Sequence, residues 1–308
     1  MYTKCLHYFL LCTIFNKSFK PFKYQKEEEI AIDLELEKKL KNLTVESKLL
    51  TMKMFHESGQ GGHYGGSFSS AEFLTIMYNG ILKVDPKNPK WENRDHFILS
   101  KGHICGLFVA VLALKGFLDK KVLATYDEIN SSIGMHTTLK IPGCEFAAGS
   151  LGHGLSVGVG AALAKKLDKK NTRVFVHMGD GETNEGSVWE AAMSASKYKL
   201  DNLIATVDRN MMNYEGHTES IMPLEPLEDK WKSFGWAVKT VDGHNISELY
   251  TVLNSLPLEK NKPTCIIVKS VKGKGIPCME GNWKYHYAIV NDEDFQEYYK
   301  LIEKCKCN

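Results

Sequence analysis

Two short apolar runs dominate the middle of the chain, at 173–178 and 202–207. Each has the length and β-branched content expected of a parallel strand buried on both faces. Between them, residues 186–200 carry apolar side chains at helical spacing, which predicts a crossover helix. Residues 35–57 read as a long amphipathic helix, with Leu36, Leu40, Leu43, Leu49, Met52 and Phe55 as its apolar positions. Residues 70–80 read as another helix. Strands and helices that alternate in this way predict an α/β fold, a doubly wound parallel sheet flanked by helices on both faces. One large domain is expected over 27–308, because no Pro-, Ser- or Gly-rich linker divides it.

Residues 1–26 do not fit that frame. The apolar run 5–15 is shorter than the roughly 20 residues that span a bilayer. It has the length of a signal-peptide core, but no small-x-small cleavage site follows it. The segment is therefore read as an extension, disordered or non-native, and no membrane association is expected.

Composition narrows the class further. The chain has 308 residues, 43% hydrophobic and 25% charged, which is ordinary for a globular protein. A net charge of +2 argues against bulk binding of nucleic acid. The lysines at 165, 166, 169 and 170 read as a solvated helix end. Eight cysteines are dispersed without a CxxC pair, which fits a reducing cytoplasm better than a disulfide framework or a zinc site.

Candidate chemistry sits just after the two apolar runs. Gly179-Asp180-Gly181-Glu182 follows the first, and Asp208-Arg209-Asn210 follows the second. In a parallel sheet both loops fall on the edge where ligands bind. A carboxylate and an amide oxygen there can hold a hard dication, and the glycines let backbone approach a phosphate closely. The pair reads as a magnesium–diphosphate site, although Gly-Asp-Gly also occurs as a plain tight turn.

Further motifs follow one another along the chain. They are Gly59-Gln60-Gly61-Gly62-His63, Ser100-Lys101-Gly102-His103, Gly149-Ser150-Leu151-Gly152, Gly179 to Gly186, and Lys269 to Gly275. In this order they resemble the thiamine-diphosphate-binding half of transketolase, from about residue 34 to the C-terminus. The pattern is nearest to the split, two-chain transketolases, in which the N-terminal subunit has this length.

That resemblance implies the site. Asp180, the Asn210 side chain and the backbone carbonyl of Met212 would ligate Mg²⁺. Gly179, Gly181 and Glu182 of the same turn would lie against thiamine diphosphate. Gly149 and Leu151 would meet the aminopyrimidine through backbone carbonyls. His63 and His103, each beside a glycine at a strand-to-helix turn, would line the cofactor and the donor sugar. His286 matches the family's C-terminal histidine near the reactive carbon, so His63, His103 and His286 are the expected catalytic residues. Glu185 matches a family acid at the contact between subunits and counts among the cofactor-site residues; it also suits a first-turn helix acid.

Several positions depart from the pattern. Met211 stands where relatives carry Gly. His136 is offset by one residue from the usual Gly-His-Pro, enough to re-aim a side chain by several ångströms. Tyr285 and Tyr287 flank His286 in place of Trp and Gly. His153 replaces a Gln.

The implied activity is transfer of a two-carbon ketol unit from a ketose or its phosphate to an aldose or its phosphate. The implied setting is cytoplasmic carbohydrate metabolism, with the pentose-phosphate route as default. The family's pyrimidine-binding domain is expected on a C-terminal transketolase subunit, since the sequence stops soon after the His286 loop. The two chains would form a dimer of heterodimers. Alternatives are one half of another two-chain thiamine-diphosphate enzyme, a catalytically silent binding or regulatory subunit, and a nicotinamide-binding Rossmann domain. The last lacks its Gly-x-Gly-x-x-Gly turn.

Overall fold

A computed structural model describes residues 32–307. The extension expected over 1–26 lies outside these residues. Asp33 starts the first helix, α1 (Leu34–Glu57), by accepting the Leu36 N–H at 3.3 Å. Glu35 and Glu37 favour the same end electrostatically. Leu40, Leu49, Met52 and Phe55 are buried as the pattern predicts, but Leu36 and Leu43 are only half-buried. The buried stripe runs instead through Thr44, Val45, Ser47 and Thr51. The three hydroxyls are tolerated there because each bonds a carbonyl of its own helix.

Five parallel strands form the sheet: β1 (His96–Leu99), β2 (Val174–Gly179), β3 (Leu203–Arg209), β4 (Ala237–Asp242) and β5 (Thr264–Lys269). Their order is β1-β2-β3-β5-β4. The two apolar runs are β2 and β3, paired with Val174 opposite Leu203 and Gly179 opposite Asp208. That register sets Asp180 and Asn210 on neighbouring loops at one edge.

Successive strand residues serve two cores, as the two-residue period requires. Phe97, Leu99, Phe175, Ile204, Ile266 and Val268 meet one set of helices: α1, α3 (Ala71–Ile76), α4 (Cys105–Lys115), α9 (Ile246–Asn254) and α10 (Asp292–Glu303). Val174, Val176, Met178, Leu203, Ala205 and Val207 meet α5 (His153–Leu167), α6 (Gly186–Lys197) and α8 (Leu227–Ser233) on the other face. The sheet is thus doubly wound, as expected. The helix predicted over 70–80 is broken. A short α2 (Tyr64–Ser69) precedes it, Ser70 leaves helical geometry, and α3 ends in a π turn at Met77–Ile81. A further short helix, α7 (Thr218–Ile221), follows the β3 loop. Among the described residues, no helix is long and apolar enough to cross a membrane.

Helix α5 lies so close to β2 that only glycine fits at one point of contact. A Cβ on Gly158 would sit 2.5 Å from Val176 Cγ2, whereas one on Gly160 would meet nothing within 4 Å. Gly158→Ala is expected to destabilise the chain by about 1–3 kcal/mol through overpacking. Gly160→Ala is expected to stabilise it by about 0.5–1 kcal/mol through helix propensity. Urea denaturation of the two variants checks the opposite signs.

Candidate active site

The strands deliver their following loops to one cavity of about 500 Å³. Lys101 and His103 come from the loop after β1, Gly179 to Glu182 from β2, Asn210 and Met212 to Glu215 from β3, and Lys272 from β5. His63, Gly66, His136, Gly149, Leu151 and His286 close the remaining walls. Among the residues expected from sequence, the structure therefore brings together His63, His103, Gly149, Leu151, Gly179, Asp180, Gly181, Glu182, Asn210, Met212 and His286.

Glu185 is not brought in. It is exposed and does not line the cavity. It caps α6 with extended backbone (φ −69°, ψ 128°), beside Gly152. Glu182 lines the cavity, but its carboxylate is already engaged. It accepts from Ser100 Oγ, from Gly152 N–H at 2.9 Å and from Gly179 N–H at 3.1 Å. Glu182 thus ties three loops together. His63 also departs from expectation in its setting. It follows α1 rather than a strand, and Gly62 makes an isolated antiparallel bridge with Ala288. That bridge draws the His286 loop against His63.

Asp208, fully buried at the end of β3, organises the floor. Its carboxylate accepts from Lys101 Nζ, from Ser69 Oγ at 2.6 Å, from Ser70 Oγ at 3.2 Å and from Ser270 Oγ. Burial opposes its ionisation, but Lys101 overcomes this and holds the carboxyl well below the usual range. Asp208 Oδ2 also accepts from Asn210 Nδ2 at 2.9 Å. This contact assigns the amide, so Oδ1 is the oxygen left to accept the Met212 N–H at 3.0 Å.

Asp180 is held by its neighbours. Oδ1 accepts the Gly181 N–H at 2.8 Å, and Oδ2 accepts the Met211 N–H at 2.8 Å and Arg209 Nη1 at 3.1 Å. Met211 adopts φ +67° to make its bond. A glycine holds that conformation without strain, and methionine does so at a cost of about 1–3 kcal/mol.

Four imidazoles meet on the far wall. The His63 ring lies 5.3 Å from His103, 5.5 Å from His286 and 6.1 Å from His136. The one-residue offset at 136 therefore does not remove that histidine from the site. Burial, then the nearby His136 and lysines, lowers His63 to about 4; burial and Lys272 lower His286 to about 3. Burial pushes His103 and His136 down as well. The rings are neutral at pH 7, and the positive charge of the cavity comes from Lys101 and Lys272. Lys272 Nζ donates to His286 Nδ1 at 3.0 Å, so the His286 proton sits on Nε2. The two lysines lie inside glycine-containing motifs, yet periodicity gives them no role. The available signal is a cation beside glycine in a loop directly after a strand. Tyr287 packs edge-on to His63 at 5.1 Å, and Tyr214 does so to His286 at 5.1 Å.

Among the described residues, no group of three or more His, Cys, Asp or Glu side chains forms a metal site. One carboxylate, one amide oxygen and two buried ammonium groups form a different donor set, suited to a hard cation and an oxyanion.

The chain is similar to known proteins over most of its described length. A family model described as the transketolase thiamine diphosphate binding domain matches residues 41–302. The chain is 42% identical over 238 residues to an apulose-4-phosphate transketolase subunit from Phocaeicola vulgatus, covering 77% of this chain and 85% of that protein. It is 40% identical over 244 residues to the SqwG subunit of the 6-deoxy-6-sulfo-D-fructose transketolase from a Clostridium species, covering 79% and 89%. The transketolase structure from Campylobacter jejuni superposes with a TM-score of 0.80 at 27% identity, over 88% of this chain. The chain spans only 43% of that longer polypeptide.

Asp180 has a consequence for stability. Burial, reinforced by Asp208 and only partly offset by Arg209, pushes its carboxyl up from 3.8 to about 6. The folded chain thus binds the extra proton between these values, and the favourable contribution is lost as pH rises through 6. In metal-free buffer, Asp180→Asn is expected to gain about 1–3 kcal/mol at pH 7.5 and less at pH 5. Urea titrations at the two pH values check this, and a loss of stability at both would contradict it.

Proposed function

The chain belongs to the transketolase family, and on that premise we propose that it is the N-terminal, cofactor-binding subunit of a two-chain transketolase. It binds thiamine diphosphate through Mg²⁺ and transfers a two-carbon ketol unit from a ketose to an aldose. The observation that carries this reading is the meeting of Asp180, Asn210, Lys101 and Lys272 in one cavity with four neutral histidines.

In this reading Asp180, the Asn210 amide oxygen and the Met212 carbonyl hold Mg²⁺. Lys101, Lys272 and the glycines of the 179–181 turn face the diphosphate. The bound cofactor supplies an electron sink for cleavage of a carbon–carbon bond next to a carbonyl. His63, His103 and His136 orient the sugar oxygens. A neutral imidazole can donate at one nitrogen and accept at the other, so these rings can pass a proton without a charged intermediate state of the wall. His286 offers Nε2–H as a donor, and Lys272 keeps that tautomer in place. Tyr214 lines the cavity beside His286.

A partner bearing the pyrimidine-binding domain completes the site. This rests on the two relatives being named as subunits, whose lengths this chain largely covers. The donor is proposed to be a ketose with a terminal anionic group, of the kind those relatives' names describe. Assembly as a dimer of heterodimers in the cytoplasm fits the same reading.

The purified chain is expected to show no ketol transfer alone and to gain it when the partner subunit is added, monitored by consumption of a ketose phosphate. Full turnover without a partner would overturn the two-chain reading. Thiamine diphosphate with Mg²⁺ at a hundred times its Kd is expected to stabilise the chain, with its partner, by about 2.7 kcal/mol. Asp180→Asn is expected to abolish that Mg²⁺-dependent gain in a thermal-shift assay.

A further inference from the structure

Outside the cavity, a buried charge cluster joins α1, α3 and the loop after β4. Lys48 Nζ donates to Glu72 Oε1 at 3.0 Å, and His244 Nδ1 lies 3.1 Å from Glu72 Oε2. None of the three lines the cavity. Their remaining bonds go to a single stretch of the loop after β5. The Val271 N–H donates to His244 Nε2 at 2.8 Å, and Lys48 Nζ donates to the Lys274 carbonyl at 3.2 Å.

Those two anchors flank Lys272 and Gly273. The Lys272 side chain turns into the cavity, 3.0 Å from His286 Nδ1 and 3.3 Å from the Asn213 carbonyl. Gly273 has φ +76° and donates to the Gly65 carbonyl at 2.9 Å; a Cβ there would lie 2.4 Å from the Met279 carbonyl oxygen. The backbone of 271–274 is therefore gripped on both sides.

Proton bookkeeping fixes the state of the cluster. A backbone N–H is only a donor, so His244 Nε2 accepts and the ring proton sits on Nδ1, facing Glu72. Burial alone would raise the Glu72 carboxyl, but Lys48 and His244 hold it at about 2, so it is ionised at neutral pH. A buried ion pair is poor evidence for stability, because apolar side chains of the same volume often serve as well. Here, however, both remaining hydrogen-bonding positions are spent on the backbone that aims one lysine.

We propose that Glu72 and His244 are positioning residues for Lys272, holding the 271–274 backbone so that its ammonium stays beside His286 in the diphosphate site. The inference rests on the reading of the cavity given above. A lysine carries its charge on a long flexible stem, so its aim depends on a fixed backbone and fixed neighbours.

Two substitutions separate positioning from simple stability. In His244→Gln the side-chain oxygen reaches the Nε2 position and still accepts from Val271. In His244→Asn the amide replaces Nδ1–H toward Glu72 and leaves the Val271 N–H without its acceptor. Hydrogen exchange at 271–275 in the full chain is expected to quicken in His244→Asn and to stay near wild type in His244→Gln, with β3 amides unchanged in both. Affinity for thiamine diphosphate with Mg²⁺, measured by calorimetry in the presence of the partner subunit, is expected to fall about 10-fold in His244→Asn only, as outer-shell losses commonly do. Equal behaviour of the two variants, or unchanged loop exchange in His244→Asn, would overturn the proposal. Should the wild type fail to bind the cofactor, the proposed function falls, and the exchange contrast alone decides the positioning role. If His244→Asn does not fold, Glu72→Gln takes its place, with faster exchange at 271–275 and protected β3 amides as the expected result.

Discussion

The candidate site is built around one buried carboxylate. Asp208 sits at the end of the central strand β3 and collects donors from four directions: Lys101 after β1, Ser69 and Ser70 between α2 and α3, Asn210 after β3, and Ser270 after β5. An isolated charge at this depth would be prohibitively costly, and the Lys101 ammonium removes that cost only because further donors satisfy the remaining lone pairs. In return the loops of four separate elements are held in one register. The orientation of the Asn210 amide follows directly, and so does the placement of a buried lysine beside the cavity. Glu182 repeats the device nearby, joining Ser100, Gly152 and Gly179.

The same region is not optimised for the stability of the chain by itself. Burial of Asp180, with Asp208 nearby, outweighs the Arg209 and backbone donors that favour its charged form, and Met211 occupies a left-handed conformation to reach it. Both features make sense where a cation is to be received. A site already neutralised by protein groups would have nothing to offer a metal. Strained backbone and buried charge of this kind concentrate at functional positions and are offset by the well-packed sheet beneath. Lys101, paired with Asp208, and Lys272 are the cations of the cavity, among neutral imidazoles, and Asp180, Glu182 and Glu215 are its carboxylates. Charges of both signs in one cavity suit an anion bridged to a dication.

Much of this was legible in the residues. The strands β2 and β3 could be read because both are buried on two faces and carry apolar runs interrupted only by the buried His177 and Thr206, and their register follows from being neighbours in a parallel sheet. Asp180 and Asn210 could then be placed at one edge. The histidines at 63 and 103 were legible through glycine-rich motifs and His286 through the family resemblance, but their mutual approach was not. It depends on the bridge between Gly62 and Ala288, a contact that no local pattern encodes. Glu185 lies outside the cavity of this chain, because the extended backbone that ends the 3₁₀ turn leaves it exposed; an acid at a contact between subunits would be exposed in one chain in the same way. Leu43 failed for a related reason. Helix α1 is covered over more of its circumference than a single stripe, so hydroxyls that bond their own helix take buried positions. Lys101 lies in the short link between β1 and the 3₁₀ turn Gly102–Ile104, and Lys272 and His136 lie in long loops; in all three, side-chain direction is set by tertiary bonds rather than by period.

The most direct test is to locate the metal itself. Crystals of the chain with thiamine diphosphate and its partner subunit, grown with Mn²⁺ in place of Mg²⁺, would give an anomalous signal that marks the cation. The account predicts one peak within about 2.5 Å of both an Asp180 carboxylate oxygen and Asn210 Oδ1, with the diphosphate beside it. A peak bound elsewhere, or a diphosphate lying away from these two side chains, would contradict it.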